Sequence, residues 1–475
     1  MMIISPFAAF PAASRTIRTL STLLVTICFV LLMEFIVQLG LNQSLLLGPF
    51  LFNRITVTVA LMVAAVGSVV LRFSLKYMAF DPAQDRFCLW VFITVLSGTS
   101  LILSDHLLML FLSWSVMSLS LHKLLAHYRD NPVAQNAAWK KFRFSRIGDC
   151  ALLAAIVLIY QSTDSWSLSQ FLSNLRDLPS ISLIGVAWFI AIAAMTKSAQ
   201  FPFHRWLPET LDAPTPVSAI MHAGAINGGG VLLLKFASAI TQVSSACLAL
   251  SIVGCLTMTV GMRGLWSEPT RKGKLAWSTV AQMGFMTAEC GIAAFAAAFL
   301  HIVAHGLYKA ECFLRSGTLP KQSASRRELG RYQFGWVILC AAACLPIFWL
   351  ASEWFHLGFK TPRDIGLAFI IALSIGQAVV AIPTLPTWAR PLTVLPLTGL
   401  ALAFYALIEV FVGDLVPSPP NNSPIYWFAA LLPGATLAYL SFQFYSREPQ
   451  PVPKDILSTN LNLNVVNQIK EYTNV

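Results

Sequence analysis

The chain has 475 residues, of which 56% are hydrophobic and only 11% are charged, and its mean hydropathy is +0.69. Water could not be kept away from so large an apolar fraction, so the composition excludes a soluble multidomain enzyme and predicts many membrane spans. The net charge of +11 sits mainly in short loops between predicted spans, which indicates a topology signal rather than a nucleic-acid-binding surface.

Apolar segments of spanning length recur along the whole chain. At about 20 residues per span, we predict about fourteen transmembrane helices. Their predicted bounds are 19–39, 50–71, 87–103, 105–121, 147–161, 181–200, 216–240, 246–262, 275–296, 298–316, 332–351, 365–383, 391–412 and 425–445. The predicted fold class is therefore all-α, a polytopic transmembrane helical bundle.

Basic residues predict the orientation of this bundle. The loops 122–146, 263–274 and 315–331 are rich in Lys and Arg and fall on one side, whereas 40–49 and 413–424 on the other side contain neither residue. Because cytoplasmic loops are enriched in Lys and Arg, we predict that both termini are cytoplasmic.

Three regions follow from this layout. We expect N-terminal transmembrane helices in 1–104, an ion-translocating core in 105–446 and a cytoplasmic tail in 447–475. In the tail, apolar residues from Leu457 to Tyr472 recur at helical spacing. This spacing favours an amphipathic helix on the membrane surface or against a partner, and a disordered end is the alternative.

The segment from Lys197 to Lys235 contains two lysines and His222 inside apolar stretches, around a break rich in prolines from Pro202 to Pro216. A charged group at the centre of a bilayer costs about 2.5 kcal/mol or more, so such residues usually face a protein interior or a wet cavity and serve ion movement. A helix broken at that depth is tolerated where neighbours or water satisfy its backbone groups. The segment predicts part of an ion path.

A second group of ionisable residues lies in the sequence HIVAHGLYKAE, where His301, His305 and Lys309 recur every four residues. This spacing places all three on one stripe of a helix, from which they could relay protons through water. The histidine pair also resembles half of a zinc site, but HExxH is missing and Lys309 would repel a metal. Polar contacts between helices remain an alternative for the trio.

Other ionisable residues in apolar segments have less distinctive settings. Three glutamates are interpreted as packing or partner-contact residues: Glu34, Glu289 and Glu409. Asp149 follows Arg146 at the start of a predicted span, where it would either fix the helix end through an ion pair or tune the ion path. Asp105 and His106 are expected to be solvated at an interface.

Three blocks of the sequence together resemble one membrane protein family: TKSAQFPFHRWLPETLDAPTPVSAIMHAG, KLAWSTVAQMGFM and HIVAHGLYKAECFLRSG. They are similar to the antiporter-like family that includes the proton-pumping membrane subunits of respiratory complex I and the large subunit of Mrp-type sodium/proton antiporters. The resemblance implies two inverted five-helix repeats, each with a broken helix. It also implies that protons move along the membrane midplane through Lys197, His222, His301, His305 and Lys309.

The chain departs from the complex I type in two places. Complex I members have a glutamate after the tryptophan of the block FLSWSVMSLS, and this chain has Ser115 after Trp114. The usual carboxylate partner of Lys197 is therefore missing, and whether Asp149 replaces it stays open. In addition, no span after residue 320 contains a lysine equivalent to that of the family's second broken helix.

The variant FHRWLPETLDAPTPVSAIMHAGAINGGG most resembles the membrane subunit of DAB-type inorganic-carbon accumulation complexes of bacteria. That resemblance implies a multi-pass inner-membrane subunit without enzyme activity, cofactor or metal of its own. Its implied partner is a large peripheral subunit similar to a carbonic anhydrase, which holds zinc and converts CO2 to bicarbonate when H+ or Na+ flows through the membrane subunit. The alternatives are a proton-pumping subunit of a NADH-quinone oxidoreductase-type complex and an Mrp-type sodium/proton antiporter.

A rival from another class is a membrane enzyme acting on lipid-linked substrates. Such an enzyme needs acidic or metal-binding residues at a boundary between loop and membrane, and the sequence shows no such group.

Overall fold

The computed structural model describes residues 14–41, 44–316, 331–354, 361–381, 389–412 and 424–446. These residues form an all-α bundle, which confirms the predicted fold class. The α-helices are α1 Arg15–Leu41, α2 Arg54–Tyr77, α3 Gln84–Leu103, α4 Leu107–Leu125, α5 Pro132–Thr163, α6 Leu168–Ser173, α7 Ser180–Lys197, α8 Thr215–Ala223, α9 Gly228–Lys235, α10 Ala237–Thr241, α11 Ser244–Ser267, α12 Arg271–Gly291, α13 Phe295–Ser316, α14 Arg331–Trp354, α15 Pro362–Ala381, α16 Arg390–Val412 and α17 Pro424–Ser446.

Each of the fourteen predicted spans overlaps a helix, or a run of helices, of this bundle. The predicted span 216–240 corresponds to α8, α9 and α10, which are separated by short interruptions. Among the described residues, seven segments are long and apolar enough to cross a membrane by length and composition. The remaining predicted spans are helical but shorter, more charged or less apolar.

The outer face of the bundle is apolar, as a lipid-facing surface must be. Large side chains such as Phe29, Leu112 and Ile181 are exposed on the outside, and in lipid this exposure carries no hydrophobic penalty. In contrast, 89% of the residues in the most apolar stretch of Thr215–Lys235 are buried inside the bundle. In the corresponding stretch of α1, 17% are buried. The segment with the predicted break is therefore at the centre of the bundle and α1 at its edge.

Polar residues begin several of the helices. Asn53 and Thr56 form a reciprocal cap on α2, in which each side chain accepts a hydrogen bond from the other residue's backbone N–H. The Asn131 side chain accepts from the N–H groups of Val133 and Ala134 at the start of α5. Such caps satisfy donors that have no partner inside the helix.

Helices α11 and α12 pack unusually closely because small residues face each other. A Cβ added to Gly254 would lie 2.6 Å from the backbone oxygen of Gly284, and a Cβ on Gly284 would lie 2.5 Å from the backbone nitrogen of Met258. Small residues allow this approach, which is a common way of packing helices in a membrane.

Two short strands, β1 Leu45–Leu47 and β2 Phe50–Phe52, form an antiparallel hairpin between α1 and α2. Near this hairpin, the expectation that Asp105 is solvated is wrong. Its side chain is buried and accepts hydrogen bonds from Ser167 Oγ and from the N–H and Oγ of Ser169. The carboxylate thus caps α6, which supplies the contacts that water would otherwise make.

The three predicted regions stay a prediction. One hydrophobic cluster runs from Ile17 in α1 to Phe313 in α13, so N-terminal helices share their core with the helices of the ion-translocating region. The predicted tail, 447–475, lies outside the described residues.

Candidate functional site

The helix that holds Lys197 ends at that residue. Beyond it, Ala199 adopts the left-handed backbone conformation with φ of 48°, and the Gln200 N–H donates to the carbonyl of Met195. The chain continues as two 3-10 helices, Phe203–Trp206 and Pro208–Asp212. Neighbours satisfy the backbone at the break, since the Phe201 N–H donates to Thr257 Oγ1. The break in the proline-rich segment is therefore supported by side chains, as its depth requires.

Lys197 points into the space between α7 and α4. Its side chain is 8% exposed, and its Nζ donates to the carbonyl of Trp114 (3.1 Å) and to Ser118 Oγ (2.7 Å). The Nζ also lies 4.1 Å from the centre of the Trp114 ring, a cation–π distance. Among the described residues, the partners of this ammonium group are thus neutral oxygens and an aromatic face.

Trp114 links Asp149 to this lysine. Its Oδ1 accepts from the indole Nε1–H of Trp114 (3.0 Å), and its Oδ2 lies 2.6 Å from the Arg146 guanidinium. The predicted ion pair exists, but its placement at a helix end is wrong, because α5 begins at Pro132 and Asp149 lies in its interior. The carboxylate stands behind the tryptophan rather than against the ammonium.

Ser115 does not replace a carboxylate at this point. Its Oγ is buried and has no hydrogen-bond partner among the described residues. The groups that bind the Lys197 ammonium belong to the neighbours of Ser115 on α4. They are the carbonyl of Trp114, one residue before Ser115, and the hydroxyl of Ser118, three residues after it.

The sequence analysis missed a second buried lysine beside Lys197. Lys141 was placed in the basic loop 122–146, but α5 runs through most of that loop and buries Lys141, which is 3% exposed. Its Nζ donates to the carbonyl of Ser118 (2.7 Å). Asn131 followed by Pro132 is a helix-start signal in the sequence, and it would have predicted this extension of the helix.

The central helix of the bundle is interrupted at Gly224. Helix α8 ends at Ala223, a short 3-10 turn covers Ala225–Asn227, and α9 begins at Gly228. The freed carbonyl of Ala223 accepts from Asn227 Nδ2 (2.9 Å), and that of Ile226 accepts from Ser198 Oγ (2.7 Å). The interruption thus brings this helix into direct contact with the break that follows Lys197.

His222 lies two residues before the interruption at Gly224. It is 1% exposed, and its ring stacks on Phe313 with the ring centres 4.2 Å apart. Its Nδ1 is buried without a hydrogen-bond partner among the described residues. Since buried polar atoms are rarely left unpaired, this nitrogen is available to a further hydrogen-bonding group.

Helix α13 lies against α8 next to this histidine. The two helices approach closely at Gly306, where an added Cβ would lie 2.9 Å from the carbonyl oxygen of Ala223. The approach makes His222, His305 and Lys309 electrostatic neighbours. The ring centres of His305 and His301 are 5.8 Å apart on the same stripe of α13.

The two ends of the α13 stripe have polar partners from α12. His301 Nδ1 lies 2.9 Å from Glu289 Oε2, and Lys309 Nζ donates to Ser278 Oγ and to the Leu275 carbonyl. Glu289, interpreted from the sequence as a packing or partner-contact residue, contacts His301 and thus lies in this candidate site. The Glu34 side chain accepts from Gln38 Nε2 (2.8 Å), away from the site, and that of Glu409 lies outside the described residues.

A cavity of about 750 Å³ opens along the α13 stripe, between α12, α13, α15 and α16. Glu289, His301, His305 and Lys309 all lie on its wall, together with apolar residues of α15 and α16. The titratable side chains form one polar stripe on a wall that is otherwise mostly apolar, and a cavity of this volume has room for water beside that stripe. The stripe is therefore placed to exchange protons with water.

Lys235 is separate from both groups. It is the last residue of α9 and donates to the carbonyl of Ile102 (2.8 Å), close to Asp105.

The structure brings together two groups of the predicted site residues. Lys197 lies near Asp149, and His222 lies near His301, His305 and Lys309. Within the described ranges, no three His, Cys, Asp or Glu side chains are arranged to hold a metal ion.

Comparisons with known proteins agree with this architecture. Residues 104–352 match the family model described as NADH:quinone oxidoreductase/Mrp antiporter, and residues 48–88 match the N-terminus of chain 5 of complex I. The chain is 34% identical over 385 residues to the probable inorganic carbon transporter subunit DabB2 of Halothiobacillus neapolitanus, covering 78% of this chain and 69% of that protein. It is 36% identical over 324 residues to the DabB subunit of Hydrogenovibrio crunogenus, covering 66% and 61%.

Similarity extends to respiratory-type proteins and to a solved structure. The chain is 31% identical over 347 residues to a chloroplastic NAD(P)H-quinone oxidoreductase subunit 5 of Adiantum capillus-veneris, covering 67% of this chain and 48% of that protein. A chain of the Mrp complex from Dietzia has the same fold, with a TM-score of 0.57 at 22% identity over 92% of this chain and 49% of that one. The chain spans between about half and about two thirds of the length of these relatives.

Proposed function

Since the chain belongs to the NADH:quinone oxidoreductase/Mrp antiporter family, we propose that it is the subunit that moves H+ or Na+ across the membrane in a complex that accumulates inorganic carbon. One observation carries the cation path. Buried titratable groups extend from Lys197, past the interrupted helix at His222, to the cavity wall formed by His305 and Lys309. Groups of this kind at membrane depth are rare and usually serve ion movement.

The side chains can perform the steps of such a path. Lys197 can bind a proton, and the resulting ammonium group lies between the Trp114 ring and two oxygen atoms. His222 and His305 each have a ring nitrogen that is buried and unpaired among the described residues, so water can deliver a proton there. Imidazole binds and releases protons near neutral pH. The cavity beside α13 then gives the proton access to water.

The proposal that the substrate is inorganic carbon is supported by relatives that are named as probable inorganic carbon transporter subunits. The proposed partner is a large peripheral subunit similar to a carbonic anhydrase, in which a zinc-bound hydroxide hydrates CO2 to bicarbonate. One charge that crosses 100 mV releases about 2.3 kcal/mol, enough to bias the hydration in one direction. Loops rich in Lys and Arg favour the inner membrane of a bacterium with both termini in the cytoplasm.

A second candidate is a subunit of a quinone-oxidoreductase complex or of an Mrp-type antiporter. The similarity to a chloroplastic NAD(P)H-quinone oxidoreductase subunit and to the Mrp complex favours it. Neighbouring genes separate the two candidates. A gene for a large protein with zinc ligands supports carbon accumulation, whereas genes for quinone-oxidoreductase or small antiporter subunits support the second.

Complementation tests the proposal. A bacterial strain that lacks carbonic anhydrase receives the chain with its partner, the chain alone or the partner alone, and growth in ambient air is measured. We expect growth only with the pair, and loss of growth for Lys197→Ala and for His305→Ala in assembled complexes. Lys140→Ala is the matched control, because Lys140 is exposed and pairs with Glu209 on the surface. Failure of the pair to restore growth, with both proteins expressed, contradicts carbon accumulation.

A further inference from the structure

Two buried lysines from different helices bind the same serine. Lys197 of α7 donates to Ser118 Oγ and Lys141 of α5 donates to the Ser118 carbonyl, each over 2.7 Å. Both side chains line one small cavity of about 10 Å³ together with Ser145 and Thr196. This volume has room for about one water molecule. The two amines are therefore close neighbours in an otherwise packed interior.

The charges around the pair do not balance if both lysines are protonated. The charged groups that act on Lys141 are Lys197, Asp149 and Arg146. Asp149 already has Arg146 as its ion-pair partner at 2.6 Å, so no further carboxylate among the described residues neutralises the lysines. Two like charges that are buried this close disfavour each other, and desolvation disfavours both. The arrangement is therefore suited to one charge rather than two.

We propose that Lys141 and Lys197 form a proton-binding pair that carries a single positive charge, and that Lys141 is the residue that loads Lys197. This proposal rests on the cation-translocating function proposed above. A water molecule in the shared cavity accepts a proton from the Lys141 ammonium and donates one to the neutral Lys197 amine. The proton count of the pair is unchanged by this step, and the charge moves from α5 to α7. After Lys197 has passed this proton on, Lys141 takes a new proton from the end of the bundle at which α5 begins.

A purely structural role for Lys141 makes a different prediction. In that case Lys141 only ties α5 to α4 by donating to the Ser118 carbonyl, and arginine, which also donates hydrogen bonds, would serve. In the proposed role arginine fails, because its guanidinium stays protonated in proteins and cannot release a proton to Lys197. The variant Lys141→Arg therefore separates the two roles.

The protonation state of the pair is measured first, on the purified full chain in lipid, by nitrogen NMR of 15N-labelled lysine side chains at neutral pH. We expect the unaltered chain to show a neutral-amine signal of this pair, which is lost in both Lys141→Met and Lys197→Met, since the remaining lysine then holds the single charge of the pair. Lys140→Met, a change at the adjacent residue in the surface pair with Glu209, should leave that signal in place. Absence of this signal in the unaltered chain, or its loss in only one of the two buried-lysine variants, overturns the proposal.

Cation uptake is measured next, in inverted membrane vesicles that contain the assembled complex. We expect Lys141→Met and Lys141→Arg to lower the rate at least about 100-fold, the scale of a positioned proton donor, whereas Lys140→Met keeps the rate. Normal uptake with Lys141→Arg would overturn the loading role. If the unaltered complex shows no uptake, the proposed function fails, and the NMR result alone then decides whether the two lysines share one charge.

Discussion

The two halves of the candidate path hold their charges in different ways. Around Lys197 the helices pack tightly, and the cavity that its side chain lines has a volume of about 10 Å³. Around His305 and Lys309 a cavity of about 750 Å³ adjoins the titratable groups. The first half fixes its lysine with neutral oxygens and the Trp114 ring, whereas in the second half the carboxyl group of Glu289 lies within hydrogen-bond distance of His301 Nδ1.

From this difference we infer that, in the proposed path, the Lys197 half controls the ion and the α13 half conducts it. In a tight site each proton position depends on one side chain, because water cannot replace a missing group. In a wet cavity water can bridge around a missing group at modest cost. The Lys197 half should therefore be sensitive to single substitutions, and the α13 half should be more tolerant.

The largest effect is expected at Lys197. Lys197→Met keeps much of the side-chain volume but removes the proton-binding amine, and the small cavity leaves no room for a chain of waters to replace it. We expect cation uptake by the assembled complex in inverted vesicles to fall at least about 100-fold. If this variant retains more uptake than a variant of the α13 stripe, the greater sensitivity expected of the Lys197 half is wrong.

The next effect is expected at Glu289. Glu289→Gln removes the charge that pairs with His301, but water in the large cavity still contacts the histidine. We expect uptake to fall by about tenfold, less than for Lys197→Met, since the loss is that of one buried hydrogen bond, worth up to about 1.5 kcal/mol, and about 1.4 kcal/mol is tenfold in rate.

Glu34→Gln provides the matched control for this change. Glu34 also lies in a membrane helix, but its partner is Gln38, so the uptake rate should stay at that of the unaltered chain. Equal losses with both variants would mean that Glu289 acts through general stability and would remove it from the path.

A smaller effect is expected when the large cavity is filled. Ala304 lies on its wall between His301 and His305 along α13, so Ala304→Phe should displace water from the stripe without touching a titratable group. We expect a loss of uptake of a few-fold, on the order of 1 kcal/mol in the barrier. Leu307→Phe on the exposed outer face of the same helix is the control. If filling the cavity has no effect, the conducting role of its water is wrong.

Much of this fold could be predicted from the sequence, because each span must be apolar and must satisfy its own backbone. The α13 stripe was also predictable, since its residues lie on one helix at fixed spacing. Contacts between distant segments were not. Glu289 contacts His301 of the next helix, α13. Asp105 accepts hydrogen bonds from Ser167 and Ser169 at the start of α6. Their settings depend on packing that local patterns do not specify.

Lys141 shows the same limit in a different form. Hydropathy separates the basic cluster 122–146 from the spans, but it does not show that a helix continues through the cluster and turns one of its lysines inward. The exposed Lys140 and the buried Lys141 are adjacent in sequence and opposite in setting. Only the direction of each side chain on the helix distinguishes them.

The smallest effect concerns a feature that the two halves share. The helices that carry Lys197 and Glu289 both end with an alanine in the left-handed conformation, Ala199 (φ 48°) and Ala293 (φ 60°). In each case the next N–H bonds back to a carbonyl five residues earlier, at Met195 and Glu289. Glycine favours this position because it has no Cβ.

We expect Ala199→Gly and Ala293→Gly each to change the free energy of unfolding by less than about 1 kcal/mol. Relief of left-handed strain stabilises by about 1–2 kcal/mol, whereas the added entropy of the unfolded glycine costs about 0.4–1 kcal/mol and loss of the buried methyl group costs about 0.8 kcal/mol. Thermal unfolding in detergent measures this, with Ala194→Gly inside α7 as a control that should destabilise by about 1 kcal/mol. If Ala293→Gly stabilises but Ala199→Gly does not, the break after Lys197 is held by its neighbours in a strained form that the other half lacks. The tight half would then differ from the wet half in its backbone as well as in its side chains.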